Sequence, residues 1–146
     1  DLVAPKLPAL LAYQLSLRAP KPANGSYDAG PAARGKHVFR NEARCASCHQ
    51  GPNLTDVVKN VFNGRKDTMP FLHDPASVGQ DAAYAMRTAT GKYRTTPLRG
   101  LQQHPPYFHD GSAPTLAAVV DHYVRLFGLN LTPGQRADLI EYLKSL

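Results

Sequence analysis

The sequence predicts a mainly α fold with long loops between the helices. Three observations support it. Two segments near the C-terminus carry a helical apolar period together with start and stop residues. No stretch of useful length alternates apolar and polar residues as a half-buried strand does. Thirteen prolines and eleven glycines among 146 residues commit much of the chain to turns.

Residues 1–19 read as an apolar helix containing Leu7, Leu10, Leu11, Tyr13, Leu15 and Leu17. Pro5 and Pro8 are expected to confine its regular part to the residues after Pro8. The run Leu10–Leu17 aligns with Leu139–Leu146, and Leu, Tyr, Ser and Leu recur at matching offsets. Chance similarity of short helices is one explanation. The other is that residues 1–17 form the last helix of a preceding domain of the same kind. Arg18 to Pro31 reads as a linker, because Pro20, Pro22, Gly25, Gly30 and Pro31 interrupt any regular element. The chain thus divides into 1–31, helix plus linker, and 32–146, the main domain.

Ala32 to Phe39 is expected to be a helix leading into Cys45-Ala46-Ser47-Cys48-His49. Gln50 to Asp74 reads as loop, with one helical turn near Asp56–Val61. Ala82 to Thr88 reads as a short helix. Gly91 to Gly111 shows little period. Ala113-Pro114-Thr115 opens a clear helix, with Pro114 assigned to its first turn. Leu116, Val119, Val120, Tyr123, Val124 and Phe127 share one apolar face, and Gly128 stops it. In the last helix Thr132 is the N-cap, Pro133 is N1, and Gln135 completes a capping box. Leu139, Ile140, Leu143 and Leu146 form its expected buried stripe.

The Cys-x-x-Cys-His run is the attachment signature of a c-type haem. Two thiols three residues apart can form thioethers to the two vinyl groups of one porphyrin. The next residue, His49, then serves as the proximal iron ligand. A redox dithiol would need a βαβ setting, and a zinc site would need two further ligands. Only two cysteines exist, so no disulfide framework remains. One covalent haem c is the expected cofactor.

Thioether attachment takes place outside the cytoplasm, so a periplasmic or otherwise exported protein is expected. The sequence begins at Asp1 without a leader, as a processed or truncated chain would. No apolar run approaches the length of a membrane span. The formal charge is +6. Lys and Arg are scattered and carry no nucleic-acid-binding motif. A basic surface suits a redox partner with an acidic docking face.

The run Tyr93-Arg94-Thr95-Thr96-Pro97-Leu98-Arg99-Gly100, then Pro106-Tyr107-Phe108-His109-Asp110-Gly111, adds specificity. With Cys45–His49 and the terminal helices, it resembles the C-terminal haem domain of bacterial dihaem cytochrome c peroxidases and their MauG-like branch. The resemblance implies a cytochrome c-like helical haem domain that carries the electron-transfer haem. In that family peroxide reacts at a second haem on another domain. This chain has one Cys-x-x-Cys-His and no Trp, whereas a Trp commonly lies between the two haems. Electron transfer is therefore the expected role. The alternative is a fragment or subunit of a larger dihaem oxidoreductase whose catalytic haem lies elsewhere. A small-molecule-binding haem sensor is a third reading.

The resemblance also puts the distal iron ligand at Tyr123, 74 residues after His49. Peroxidases of the family carry Met there and the MauG-like branch carries Tyr. The residues themselves leave a packed core Tyr equally open, because Tyr123 lies on the apolar stripe. Met69, followed by Pro70, is the alternative distal ligand. Met86 is expected to be core filler. His122 points about 100° around the helix from Tyr123, so the two cannot share one role. His73 and His109 lie in expected loops; His37, His73 and His104 read as surface or hydrogen-bonded groups. Arg94 and Arg99 are candidates for gripping haem propionates. Tyr107 and Phe108 are candidates for the pocket wall. In the family the His109 position is a structural and functional residue near the haem, not a ligand.

Overall fold

The computed structural model describes residues 2–56 and 72–146. A 3-10 turn at Ala4–Lys6 leads into helix α1 (Leu7–Ser16). Helix α2 (Ala29–Arg40) follows, then a 3-10 turn at Cys45–Ser47. Two short strands, β1 (Leu72–His73) and β2 (Tyr93–Arg94), pair antiparallel, with His73 opposite Tyr93. Helices α3 (Leu116–Phe127) and α4 (Pro133–Lys144) close the domain. Met69 and most of the turn expected at Asp56–Val61 lie outside the described residues.

Helix α2 begins earlier than expected, inside the assigned linker. Asp28 caps it by accepting from the Gly30 N–H at 3.1 Å. Pro31 then falls in the first turn, where a missing N–H costs no helical hydrogen bond. The Asp28 N–H itself donates to the Glu141 carboxylate at 2.7 Å, which ties this start to α4. Similarly, α1 begins at Leu7 and accommodates Pro8 in its first turn.

For α3 the cap is Thr115, whose hydroxyl accepts from the Ala118 N–H at 3.1 Å. Pro114 therefore precedes the cap instead of occupying the first turn. Leu116, Val120 and Val124 are buried as the stripe predicts, but Phe127 at its far end is 54% exposed. Helix α4 has the expected capping box, with Thr132 and Gln135 bonded reciprocally. Its buried stripe is Leu139, Tyr142 and Leu143. Ile140 and Leu146 are only half-buried. Tyr142 takes the central place because its ring meets Phe39 edge-on at 5.2 Å.

The α2–α4 crossing forms the core. Gly35 makes it possible: a Cβ there would collide with the Asp138 carbonyl and crowd the Tyr142 Cβ. Phe39, 2% exposed, fills the centre. At the rim Arg34 grips Asp138 through two hydrogen bonds of 2.7 Å. Arg34 is well exposed, so this pair orients the helices more than it stabilises them.

The segment 82–88 is a single 3-10 turn at Ala85–Arg87, not a full helix. The Asp81 carboxylate closes its start through the Ala83 N–H, and the Thr88 hydroxyl donates to the Ala85 carbonyl at its end. Ala85 is buried, whereas Met86 is 74% exposed and fills no core. In the N-terminal helix α1, Leu7, Leu10, Leu11 and Tyr13 are all about half or more accessible.

Candidate haem site

The residues after α2 form one tight turn. Arg44 adopts a left-handed conformation (φ 53°), which swings the chain off the helix end. The His49 N–H then donates to the Cys45 carbonyl at 3.0 Å. Residues three and four apart in such a turn project to one side. Cys45, Cys48 and His49 are brought together in this way, and all three are half-buried. The two cysteines are not joined in a disulfide. Burial raises the Cys45 pKa to about 11, so its sulfur is a neutral thiol.

His49 is oriented by a backbone group. Its Nδ1 lies 3.0 Å from the Leu54 carbonyl. A carbonyl can only accept, so Nδ1 carries the proton. Burial lowers the His49 pKa, an effect that the Leu54 carbonyl and then the Asp56 carboxylate partly offset. The ring is therefore neutral, with its lone pair on Nε2, the state in which imidazole ligates a metal. Leu54 presents that carbonyl from a left-handed backbone (φ 53°). Nothing in the residue type of Leu54 signals this role. Phe39 stands 6.5 Å from the imidazole, centroid to centroid.

Tyr123 is half-buried. Burial first, then the nearby Cys45 and Cys48, push its phenol up to about 12. Phe108 meets it edge-on at 5.9 Å, and Phe127 stacks on it at 5.8 Å. Phe108 holds φ 68°, a costly conformation for a bulky side chain. His122, next in the chain, turns away and places Nε2 3.0 Å from the Val78 carbonyl.

The other expected site residues separate into groups. Tyr107 is buried in the helical core and bridges to Ala113 through paired backbone hydrogen bonds. His109 points into a polar clamp: Tyr93 Oη and Asp81 Oδ2 lie 3.0 Å from its Nε2, and Gln80 Oε1 lies 3.2 Å from Nδ1. Arg94 is exposed on β2. Arg99 is exposed and donates to the Asn53 side chain at 3.3 Å, against the loop that follows His49. His73 sits on β1, with Nε2 2.9 Å from the Thr95 hydroxyl, and is engaged there.

A turn that gathers two thiols and a neutral imidazole, with apolar walls, fits a haem c. Cys45, Cys48 and His49 would hold it. The sequence profile of cytochrome c matches residues 32–146. The chain belongs to the cytochrome c family. Among its relatives is the methylamine utilization protein MauG of Methylorubrum extorquens. It is 30% identical over 128 residues, covering 79% of this chain and 34% of MauG. The cytochrome-c peroxidase IdrP1 of Pseudomonas sp. strain SCT is 28% identical over 148 residues, covering 77% of this cytochrome and 39% of that protein. A solved MauG-like protein associated with microbial copper homeostasis superposes with TM-score 0.60 at 25% identity. That match covers 80% of this chain and 46% of the other. The cytochrome thus spans between a third and two fifths of the curated relatives just named. Its mainly α architecture is the cytochrome c fold, and the relationship makes it a haem-based redox domain. No helix of the described residues is long and apolar enough to cross a membrane.

Proposed function

We propose that this domain carries one haem c, attached through Cys45 and Cys48, and works as a one-electron carrier. His49 is the proximal ligand and Tyr123 the distal one. The observation that carries this reading is the placement of Tyr123, half-buried on α3 and near enough to Cys45 and Cys48 for them to act on its phenol. A bound haem c supplies reversible one-electron chemistry at iron. The protein's own groups set its conditions. The Leu54 carbonyl holds His49 in the ligating tautomer. Phe108 and Phe127 pack against the Tyr123 ring and orient it. With a pKa near 12 the phenol stays neutral unless a cation offsets the cost of ionising it. As a phenolate it is a hard anionic donor, which favours ferric iron and lowers the potential. Met69, the other distal candidate, is a soft thioether and would raise it.

Arg94 and Arg99 are proposed to meet the haem propionates. His109 is proposed to act indirectly, by clamping the loop that presents Phe108. Lys36, Arg40 and Arg44 are exposed along the approach to Cys45 and give an acidic redox partner a docking face. Haem c attachment places the protein in the periplasm or another exported compartment.

The deciding experiment compares ferric absorption and EPR spectra of the haem-loaded protein with those of Tyr123→Phe. Loss of the six-coordinate signature and new cyanide binding are expected. Unchanged spectra would exclude Tyr123 and turn the search to Met69. A second reading rests on coverage: relatives such as MauG are about three times longer than the matched segment. In that reading the domain is the electron-transfer part of a larger dihaem oxidoreductase, and the intact mass and haem count of the native protein test it.

A further inference from the structure

We propose that Asp81, His109 and Asp110 form a binding site for one divalent transition-metal ion of the zinc class. Each of the three offers a ligand atom, and these atoms all lie within 4.8 Å of one another. Two loops supply them. Asp81 precedes the 3-10 turn at Ala85–Arg87, and His109 and Asp110 follow Phe108. This inference does not rest on the haem or on the distal-ligand assignment.

The imidazole carries the argument. The Gln80 side-chain carbonyl lies 3.2 Å from Nδ1 and can only accept, so Nδ1 holds the proton. Nε2 is then left with its lone pair. It faces two oxygens at 3.0 Å, Asp81 Oδ2 and Tyr93 Oη. An ionised carboxylate has no proton to give. Tyr93 has one, which it donates to the Asp81 carbonyl at 2.9 Å. Lone pairs thus converge with no hydrogen between them, and a cation belongs there: a second proton on His109, or a metal ion. Charge selects the metal. Among the described residues neither Asp81 nor Asp110 forms a salt bridge with Lys or Arg, and Lys92 is engaged by Asp74 at 3.3 Å. One proton leaves one of the two carboxylate charges unbalanced, whereas a dication balances both.

The outer contacts are those of a ligand set. Each ligand is held from behind through another of its polar atoms. Gln80 holds His109 Nδ1, the Ala83 N–H donates to Asp81 Oδ1 at 2.7 Å, and the Ser112 N–H donates to Asp110 Oδ1 at 3.0 Å. Such partners fix tautomer and orientation around a metal. Ligands bonded at about 2.1 Å and at right angles stand about 3.0 Å apart, which is the Nε2–Oδ2 spacing of His109 and Asp81. Imidazole with carboxylates suits zinc, where all-oxygen sets suit calcium or magnesium. The bound ion ties the loop at Asp81 to the turn after Phe108.

Calorimetric titration of the haem-loaded protein with Zn²⁺ tests the site. One equivalent should bind, and Asp81→Asn should weaken it at least about tenfold. That change is nearly isosteric and keeps an oxygen for the Ala83 N–H. His37→Ala, at the exposed pair with Glu42, should leave binding unchanged. Anomalous scattering at the zinc edge from wild-type crystals should place the ion between His109 and both carboxylates, whether or not the variant folds. With Zn²⁺ at about a hundred times its dissociation constant, amide exchange between Gln80 and Tyr93 should slow about a hundredfold. No Zn²⁺ binding, binding indifferent to Asp81→Asn, an ion found elsewhere, or Ca²⁺ bound as tightly as Zn²⁺ would each overturn the proposal.

Discussion

Helices α2 and α4 meet through Gly35, Phe39, Leu139, Tyr142 and Leu143, all buried. From Pro75 to Gly111 only Ala85, Thr95, Gly100 and Tyr107 are buried. The first region positions Cys45, Cys48 and His49, and the second positions Phe108 against Tyr123. One works by packing and the other by hydrogen bonds from side chains to loops. The difference means that the Cys45–His49 side should fail by unfolding, and the Phe108 side by loosening while the domain stays folded.

Breaking the packed side should give the largest effect. Phe39→Ala removes the ring between His49 and Tyr142 and should cost about 3–5 kcal/mol in urea unfolding. Gly35→Ala is a sharper test because two effects oppose. Helix propensity alone would stabilise by about 1 kcal/mol. The collision with the Asp138 carbonyl should dominate and give a net loss of about 1–3 kcal/mol. A stabilised Gly35→Ala would show that the helices cross less closely than described.

On the hydrogen-bonded side, His109→Ala should cost only about 1 kcal/mol globally. Amide exchange between Gln80 and Tyr93 should nevertheless rise, because Asp81 and Gln80 lose their shared partner. If exchange rises equally in α2, the two regions are not separate. The smallest effect concerns acid. Arg34 holds the Asp138 carboxyl below its ordinary value of 3.8, and Lys144 does the same for Glu141 from 4.5. A depressed carboxyl contributes stability that is present above its unfolded pKa and lost as pH falls through the folded one. Thermal stability should therefore drop below about pH 4, and Asp138→Asn should flatten that drop.

The same contrast explains what the sequence reveals. Local signals sufficed for α4, whose capping box lies within four consecutive residues, and for the turn at Cys45–His49. Non-local contacts were opaque. The expected stripe of α4 leaves Tyr142 out, and only Phe39 beneath it gives Tyr142 its buried place. Gly30 and Pro31 read as linker because the cap at Asp28 depends partly on Glu141, far along the chain. The left-handed backbones of Leu54 and Phe108 carry no residue-type signal, since neither is glycine or asparagine. His109 could be placed near the site by motif, but its partners come from a loop nearly 30 residues earlier.

Pro20 gives the linker a consequence of its own. Its ring lies over Gly100, where an added Cβ would come within 3.4 Å of it, and Gly100 in turn donates to the Leu146 carbonyl. The leash from α1 is thus pinned close to its start. Only Leu17, Arg18 and Ala19 separate Ser16 from that anchor, a reach of about 14 Å at full extension. Helix α1 is therefore held beside the Gly100–Leu146 edge. A short pinned leash fixes the place of the helix it carries, where a long free one would set only its local concentration.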